Sequence, residues 1–253
     1  MHTSGGRIRF CCDDIHIRLG GRQILEAVSL GVDAGQVLGI VGPNGAGKTT
    51  LLEIFSGRYR AQRGRVFFDD RDITRLPLHA RARLGLGRTY QSPVVPEALK
   101  VGEVLKAARQ AYPPLLTRYH AEWAADKVGL GAQAEAMAAS LDTLSRRKLL
   151  LACLLMRRPR VLLMDEPAAG LINSEIDEID NLIRYFAREL RMAVIVVEHR
   201  LELLSAIADE VVVLDLGRLI ARGSPERVFE DRAVRAAYFD AGSAEARVRE
   251  GAI

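Results

Sequence analysis

The chain has no long apolar run. Its longest, such as Leu149–Met156, stop far short of the roughly 20 residues that a bilayer requires, which excludes a membrane-spanning helix. The opening residues Met1-His-Thr-Ser-Gly-Gly6 lack the apolar core of a secretory leader, so a cytosolic chain is expected. Cysteine is scarce. Cys11, Cys12 and Cys153 can build neither a disulfide framework nor a zinc site, and they are read as small buried or half-buried residues. An excess of one charge sign is also missing. Lys and Arg number 36 against 32 Asp and Glu, a net +4, with acids dispersed among the bases and no stripe of interleaved basic and aromatic residues. Specific nucleic-acid binding is therefore not indicated, and the mild positive charge suits an anionic leaflet or ligand without selecting one. What the chain does have is 253 residues at 49% hydrophobic content, enough for a real core in one or two domains and incompatible with disorder.

The order of apolar patterns predicts an α/β core interrupted by helices. From Ile8 to about Val32 the sequence alternates loosely around Gly20-Gly21, as short strands joined by a turn. Val37–Val41 reads as a buried strand running into a glycine-rich loop and then a helix through Thr50–Phe55. Val66–Phe68 with Asp69-Asp70 suggests another strand and turn. Between Pro93 and Met156, alanine and leucine dominate and helices are expected. Val161–Met164, Ala193–Val197 and Glu210–Asp215 then follow as short apolar strands separated by helical stretches, the pattern of a parallel sheet buried on both faces.

The loop after the first buried strand carries the sharpest chemistry. Gly42-Pro43-Asn44-Gly45-Ala46-Gly47-Lys48-Thr49-Thr50 matches G-x-x-x-x-G-K-[ST] between a strand and a helix. Its glycines let backbone amides turn inward around phosphate oxygens, and the following helix aims its positive end at the same charge. Lys48 is expected to bridge the β- and γ-phosphates, and Thr49 to offer its hydroxyl to Mg²⁺. Such a loop needs a carboxylate for the metal, and the strand Val161–Asp165 ends in one. Glu166 comes next and projects differently, suited to orienting and deprotonating an attacking water.

Taken in order, Gly42–Thr50, Gly87–Gln91, Met164–Leu171 and Val197–His199 resemble the ATP-binding subunits of ABC transporters over nearly the whole chain, from about Ile8 to Asp240. Arg88–Gln91, Asp165–Leu171 and the tail Val234–Tyr238 look most like the branched-chain amino-acid subgroup and its amide and urea relatives. The resemblance implies an α/β P-loop NTPase fold: a mostly parallel sheet with an antiparallel β subdomain (1–92), an inserted helical subdomain (93–156), the second part of the core (157–240) and a C-terminal tail (241–253). It implies ATP and Mg²⁺ as cofactors, with Thr49, Asp165 and Gln91 as metal contacts. Gln91 would also lie beside the membrane partner, with Gly85, Gly87, Pro93 and Pro96 lending that loop mobility. His199 corresponds to the histidine that contacts the γ-phosphate and the attacking water. The implied partners are integral membrane permease subunits, a second ATP-binding subunit and, indirectly, a periplasmic or extracellular binding protein. The implied location is the cytoplasmic face of the cell membrane, with no nucleic acid involved. Two other readings stay open: a soluble ATPase of the same type unconnected with transport, and an ATP-binding regulatory subunit with little hydrolysis.

The pattern breaks where the family places Leu-Ser-Gly-Gly-Gln, the motif that contacts ATP held by the opposite subunit. Counting back without a gap from Ala152 and Pro159 puts it at Leu141-Asp142-Thr143-Leu144-Ser145. Asp142 is expected to cap the following helix and repel phosphate, while Leu144 adds a side chain where close backbone approach is wanted. Arg146, Arg147 and Lys148 read as a solvated face, since cations oppose the dipole at that end of a helix. Leu19 stands where an aromatic normally stacks on adenine, and Ile172 where a polar residue is usual. A degenerate motif damages the partner's ATP site and not the chain's own, so a heterodimer with one competent site is expected.

Overall fold

The computed structural model describes residues 8–232 and 234, so most of the Val234–Tyr238 segment and all of the 241–253 tail lie outside the described residues. Strands β1 (Ile8–Leu19) and β2 (Arg22–Asp33) form a hairpin whose Gly20 and Gly21 both take positive φ, the conformation a two-residue turn between twisted strands demands. These strands are 12 residues each, longer than the alternation suggested. The reason lies in the pairing: its register shifts between Cys12 and Ile15 and again beyond Ile15, and Asp14 and Ala27 sit at positive φ. Each bulge resets the two-residue period that a sequence pattern relies on. Strands β4 (Arg63–Phe68) and β5 (Arg71–Asp72) join them in an antiparallel sheet ordered β2-β1-β4-β5, with Asp69 and Asp70 forming the turn.

The second sheet is the α/β core. It contains β3 (Val37–Val41), β6 (Leu86–Arg88), β7 (Val161–Asp165), β8 (Ala193–Val197), β9 (Glu210–Asp215) and β10 (Arg218–Gly223), in the order β10-β9-β3-β8-β7-β6. Every neighbouring pair is parallel except β9 with β10. Alternate residues of these strands serve two separate cores. Leu38, Ile40, Leu163, Ile195 and Val212 face Leu51 and Phe55 of α1 (Lys48–Ser56) and the antiparallel sheet. Val41, Met164, Val196 and Val213 face α5 (Thr143–Leu155), α6 (Asn173–Arg188) and α7 (Leu201–Ile207). Burying one such side chain stabilises the fold by about 1.5–3 kcal/mol, so the strands are near-continuously apolar because both faces need filling.

Between β6 and β7 the chain makes α3 (Val101–Gln110), α4 (Arg118–Lys127) and α5, with α2 (Leu78–Arg83) before β6 and α8 (Pro225–Glu230) after β10. A small core of Val95, Val101, Val104, Ala138 and Leu149 holds the start of α3 against α5. Strands β6 and β10 have no counterpart in the sequence reading. Gly85, at φ 101°, turns the chain into β6, so Gly85 and Gly87 belong to an edge strand and its entry turn and not to a loose loop around Gln91. Thr89 N–H prolongs that ladder by donating to Leu163 O at 2.9 Å.

Candidate nucleotide site

The phosphate loop leaves the C-terminal end of β3, and its three glycines are required for three different reasons. At Gly42 (φ 153°) a Cβ would lie 1.9 Å from Leu214 O, so packing against β9 leaves no room for a side chain. At Gly47 (φ 102°) a Cβ would meet Leu25 Cδ2 at 2.7 Å and Ile24 O at 2.9 Å. Gly45 (φ 79°) faces open space, and only its left-handed backbone demands glycine. Obstruction of phosphate, the reason expected from sequence, is thus joined at two positions by obstruction of the protein itself. Ala46 is buried, while Asn44 and Thr49 are exposed and Pro43 and Thr50 partly so. Gly47 supplies no side-chain cap to α1, which leaves the first-turn amides of that helix directed outward.

Lys48 Nζ donates to the carbonyls of Gly42 (2.7 Å) and Pro43 (3.0 Å), which folds the side chain over the loop. Burial pulls its ammonium below the usual lysine value, and the nearby Glu166 and Asp165 carboxylates oppose that shift. Asp165, buried at the end of β7, has its carboxyl pushed upward by burial, with Arg88 counteracting. Arg88 is itself fixed: its guanidinium pairs with both oxygens of Glu53 at 2.9 and 3.0 Å and with Ser56 Oγ at 2.8 Å, and its Nη2 stands 3.8 Å from Asp165 Oδ2. Sequence reading used Arg88 only as a family marker. Here it ties the Asp165 carboxylate to the inner face of α1.

Glu166 sits at φ 46°, an uncommon setting for a residue with a side chain, held by its N–H on Val197 O at 2.9 Å. That turn swings its carboxylate away from Asp165 toward two other strand ends. Glu166 Oε2 accepts from Gln91 Nε2 at 2.6 Å, and Oε1 lies 3.8 Å from His199 Nδ1. Gln91 follows β6, Glu166 follows β7 and His199 follows β8, so three adjacent parallel strands deliver three side chains to one place. Leu19 lies at the end of β1, exposed, before the Gly20-Gly21 turn.

Thr49 hydroxyl, Asp165 carboxylate and Gln91 amide oxygen would together make an all-oxygen donor set, the kind a hard cation such as Mg²⁺ prefers. Gln91 spends its amide N–H on Glu166, which leaves its oxygen for this purpose. Among the described residues no group of three or more His, Cys, Asp or Glu side chains forms a metal cage, so these donors suit an ion that brings phosphate oxygens and water in its own shell.

At the start of α5, Asp142 is the N-cap, and its Oδ1 accepts from Ser145 N at 2.7 Å. That bond holds its carboxyl below the ordinary value. Leu144 is buried in the core under α5. The three cations that follow are not a solvated face. Arg146 donates to Leu141 O (2.9 Å) and Ala139 O (2.8 Å), Arg147 is buried with only 7% of its surface exposed, and Lys148 pairs with Glu178. Leu144, Arg147 and Leu151 share the inward stripe of the helix at i, i+3 and i+7, a spacing visible in the sequence once the helix start is fixed. Ile172 is exposed at the N-terminus of α6, with its N–H satisfied by Glu175 at 2.9 Å. Glu198 carried no signal beyond following an apolar strand. It is 1% exposed, and it accepts from the backbone N–H of Ala168 and of His199, both at 3.1 Å.

Comparison with known proteins agrees with this geometry. The family model described as ABC transporter matches residues 25–169. The lipopolysaccharide export system ATP-binding protein LptB of Acidithiobacillus ferridurans is 34% identical over 219 residues, covering 86% of this chain and 90% of the relative. The high-affinity branched-chain amino acid transport ATP-binding protein BraF of Pseudomonas aeruginosa is 33% identical over 240 residues, covering 88% and 94%. An ATP-binding cassette of an ABC transporter, solved in its ADP conformation, superposes with a TM-score of 0.84 at 25% identity, covering 92% of this chain and 98% of that one. The chain belongs to the ABC transporter family of ATP-binding subunits. It is an ATPase that takes ATP with Mg²⁺, and as the ATP-binding subunit of a transporter it works with membrane permease components. No helix among the described residues is long and apolar enough to cross a membrane.

Proposed function

We propose that this chain hydrolyses ATP through Glu166, as one half of a heterodimeric motor that drives an importer from the cytoplasmic face of the membrane. The observation that carries the reading is the convergence of Gln91, Glu166 and His199 beside the phosphate loop, with Gln91 on one oxygen of Glu166 and His199 facing the other. The amides of Gly42 to Thr50 and the ammonium of Lys48 bind the phosphates, and Leu19 covers the base. Glu166 is the group that accepts the proton of the attacking water, since its carboxylate remains partly exposed to solvent. Gln91 orients that carboxylate and the water, and His199 stands where a γ-phosphate oxygen is reached. Mg²⁺, when held by Thr49, Asp165 and Gln91, supplies positive charge to the phosphates. The chain divides for this task into residues 1–92 and 157–240 as the ATP-binding core and 93–156 as the helical subdomain.

The heterodimer follows from α5. Ser145 N–H already serves Asp142, and the Asp142 charge opposes phosphate, so this helix start is satisfied internally and is a poor donor to a partner's nucleotide. The chain's own phosphate loop needs an intact motif from a different subunit. The cargo we assign is a branched-chain amino acid or a related small polar solute, delivered by a periplasmic or extracellular binding protein. The similarity to BraF and the segments Arg88–Gln91 and Asp165–Leu171 support it. The comparable similarity to LptB favours a second reading, lipopolysaccharide export, and the permease that co-purifies with the chain separates the two. The hydrolytic reading is tested by Glu166→Gln. The variant is expected to keep ATP binding while phosphate release falls by about 10²–10⁴, the usual cost of losing a general base. Release within a few-fold of the parent overturns it.

A further inference from the structure

Among the described residues, Arg147 is a buried cation without an ion-pair partner in the usual range. Its Nη2 donates to Ala169 O at 2.6 Å and to Gln91 O at 3.2 Å, and its Nε makes no hydrogen bond. Around it lies a mainly apolar cavity bordered by Tyr90, Pro93, Leu151, Met164 and Pro167. Burial drags the guanidinium below its ordinary value, and only the more distant Glu198 acts in its favour. Such a site would be filled more stably by an apolar side chain, because an incompletely satisfied buried charge carries a desolvation cost. The two bonds show where the cation acts. Ala169 belongs to the turn that follows Glu166, whose carbonyl accepts from Ala169 N–H at 3.1 Å, and the other face of this turn is held by Glu198 on Ala168 N–H. Gln91 carries the amide that meets Glu166. One nitrogen, rooted in the second turn of α5, therefore fastens the backbone of the amide-bearing loop to the turn after the carboxylate.

We infer that Arg147 is a positioning residue for hydrolysis: it sets the Gln91 amide against Glu166 and makes that contact depend on where α5 stands. The inference rests on the reading of Glu166 and Gln91 given above. It adds a route by which the helical subdomain governs the cleavage step, because a displacement of α5 relative to β7 breaks one or both carbonyl contacts and releases Gln91. Arg147 holds the loop and the turn by their carbonyls and acts on cleavage by way of the contact between Gln91 and Glu166.

The test is single-turnover cleavage of radiolabelled ATP with Mg²⁺ by excess full-length chain, which reads the chemical step even where steady turnover is slow. ATP affinity is measured in parallel by titration calorimetry. Arg147→Met is expected to slow cleavage by about tenfold or more with the ATP dissociation constant within about threefold of the parent, the split that marks an interaction made for the reaction. Arg147→Lys, which keeps the charge and several donors but lacks the reach of the guanidinium fork, is expected to fall between the two. In a Gln91→Ala background, Arg147→Met is expected to change the rate by less than about twofold, because its route of action is already gone. Cleavage unchanged in Arg147→Met, an equal loss in both backgrounds, or a loss confined to affinity overturns the inference. If Arg147→Met does not fold, Arg147→Lys in the same two backgrounds decides by the same comparison. Glu166→Gln run alongside separates the two levels: cleavage that survives Glu166→Gln refutes the site itself, while cleavage lost there but indifferent to Arg147 refutes only the role of Arg147.

Discussion

Glu198 gives a perturbation whose size can be worked out from its contacts. Its carboxylate is sealed from water and accepts from Ala168 N–H and His199 N–H at 3.1 Å each, with Arg200 N–H at 3.5 Å. Two turns of the site, one after Glu166 and one carrying His199, hang on its two oxygens. Glu198→Gln preserves shape but replaces one acceptor by an N–H₂ group that faces a backbone donor. One charge-assisted bond is lost and one buried donor is orphaned, at about 1.5–3 and about 1–3 kcal/mol respectively. Part of that is returned because a buried charge disappears, which leaves a net cost of about 3 kcal/mol. In a chain of this length each kcal/mol shifts the midpoint by about 2–4 °C, so melting is expected about 6–12 °C lower. Thermal melts read this directly, with urea titration as the check on free energy. Cleavage is expected to fall as well, because His199 and the turn after Glu166 lose their anchor. A variant melting within about 2 °C of the parent, well under the smallest shift this arithmetic allows, would refute the reasoning.

Other outcomes follow from single positions. Gly42→Ala is expected to abolish ATP binding in calorimetry, since its Cβ would enter Leu214 O, whereas Gly45→Ala meets open space and is expected to weaken binding only by the left-handed backbone cost of roughly 1–2 kcal/mol. Equal effects at the two positions would contradict that account of the loop. Burial raises Asp180, on the inner face of α6 among Asp177, Arg184, Glu198 and Arg200, to about 6. A carboxyl raised on folding costs stability once ionised. The penalty is therefore absent below the unfolded value, near 4, grows as pH rises toward 6 and is complete above it. Asp180→Asn is accordingly expected to raise stability at pH 8 by up to about 3 kcal/mol and to make no difference at pH 3.5, provided the fold persists there, a contrast that melts at the two pH values report. A gain independent of pH would assign it to packing and not to charge.

The parts legible in sequence are those whose meaning is local. The phosphate loop is nine consecutive residues between a strand and a helix, and Asp165-Glu166 closes an apolar strand, so each carries its own context. The edge strand β6 was hidden because three residues, one of them glycine, give no period to read. The bulged hairpin was shortened for a related reason, since each bulge erases the alternation. Arg88, Arg147 and Glu198 were missed or misplaced because their roles are made by partners far along the chain: Glu53 for Arg88, Gln91 and Ala169 for Arg147, Ala168 for Glu198. Arg147 had a local signal in its phase with Leu144 and Leu151. The expectation that cations avoid a helix start outweighed it. Burial against carbonyl oxygens shows why that rule yields here.

The central claim is that this chain's own half-site is complete and that its α5 start is the defective element. Restoring the family motif by Asp142→Ser, Thr143→Gly, Leu144→Gly and Ser145→Gln tests it within the one chain, with serine still able to cap the helix. Steady-state phosphate release by the restored chain is expected to exceed that of the parent by at least about tenfold, and to vanish again on adding Glu166→Gln. A parent chain that already hydrolyses ATP briskly on its own, and gains nothing from the restored motif, would contradict the account.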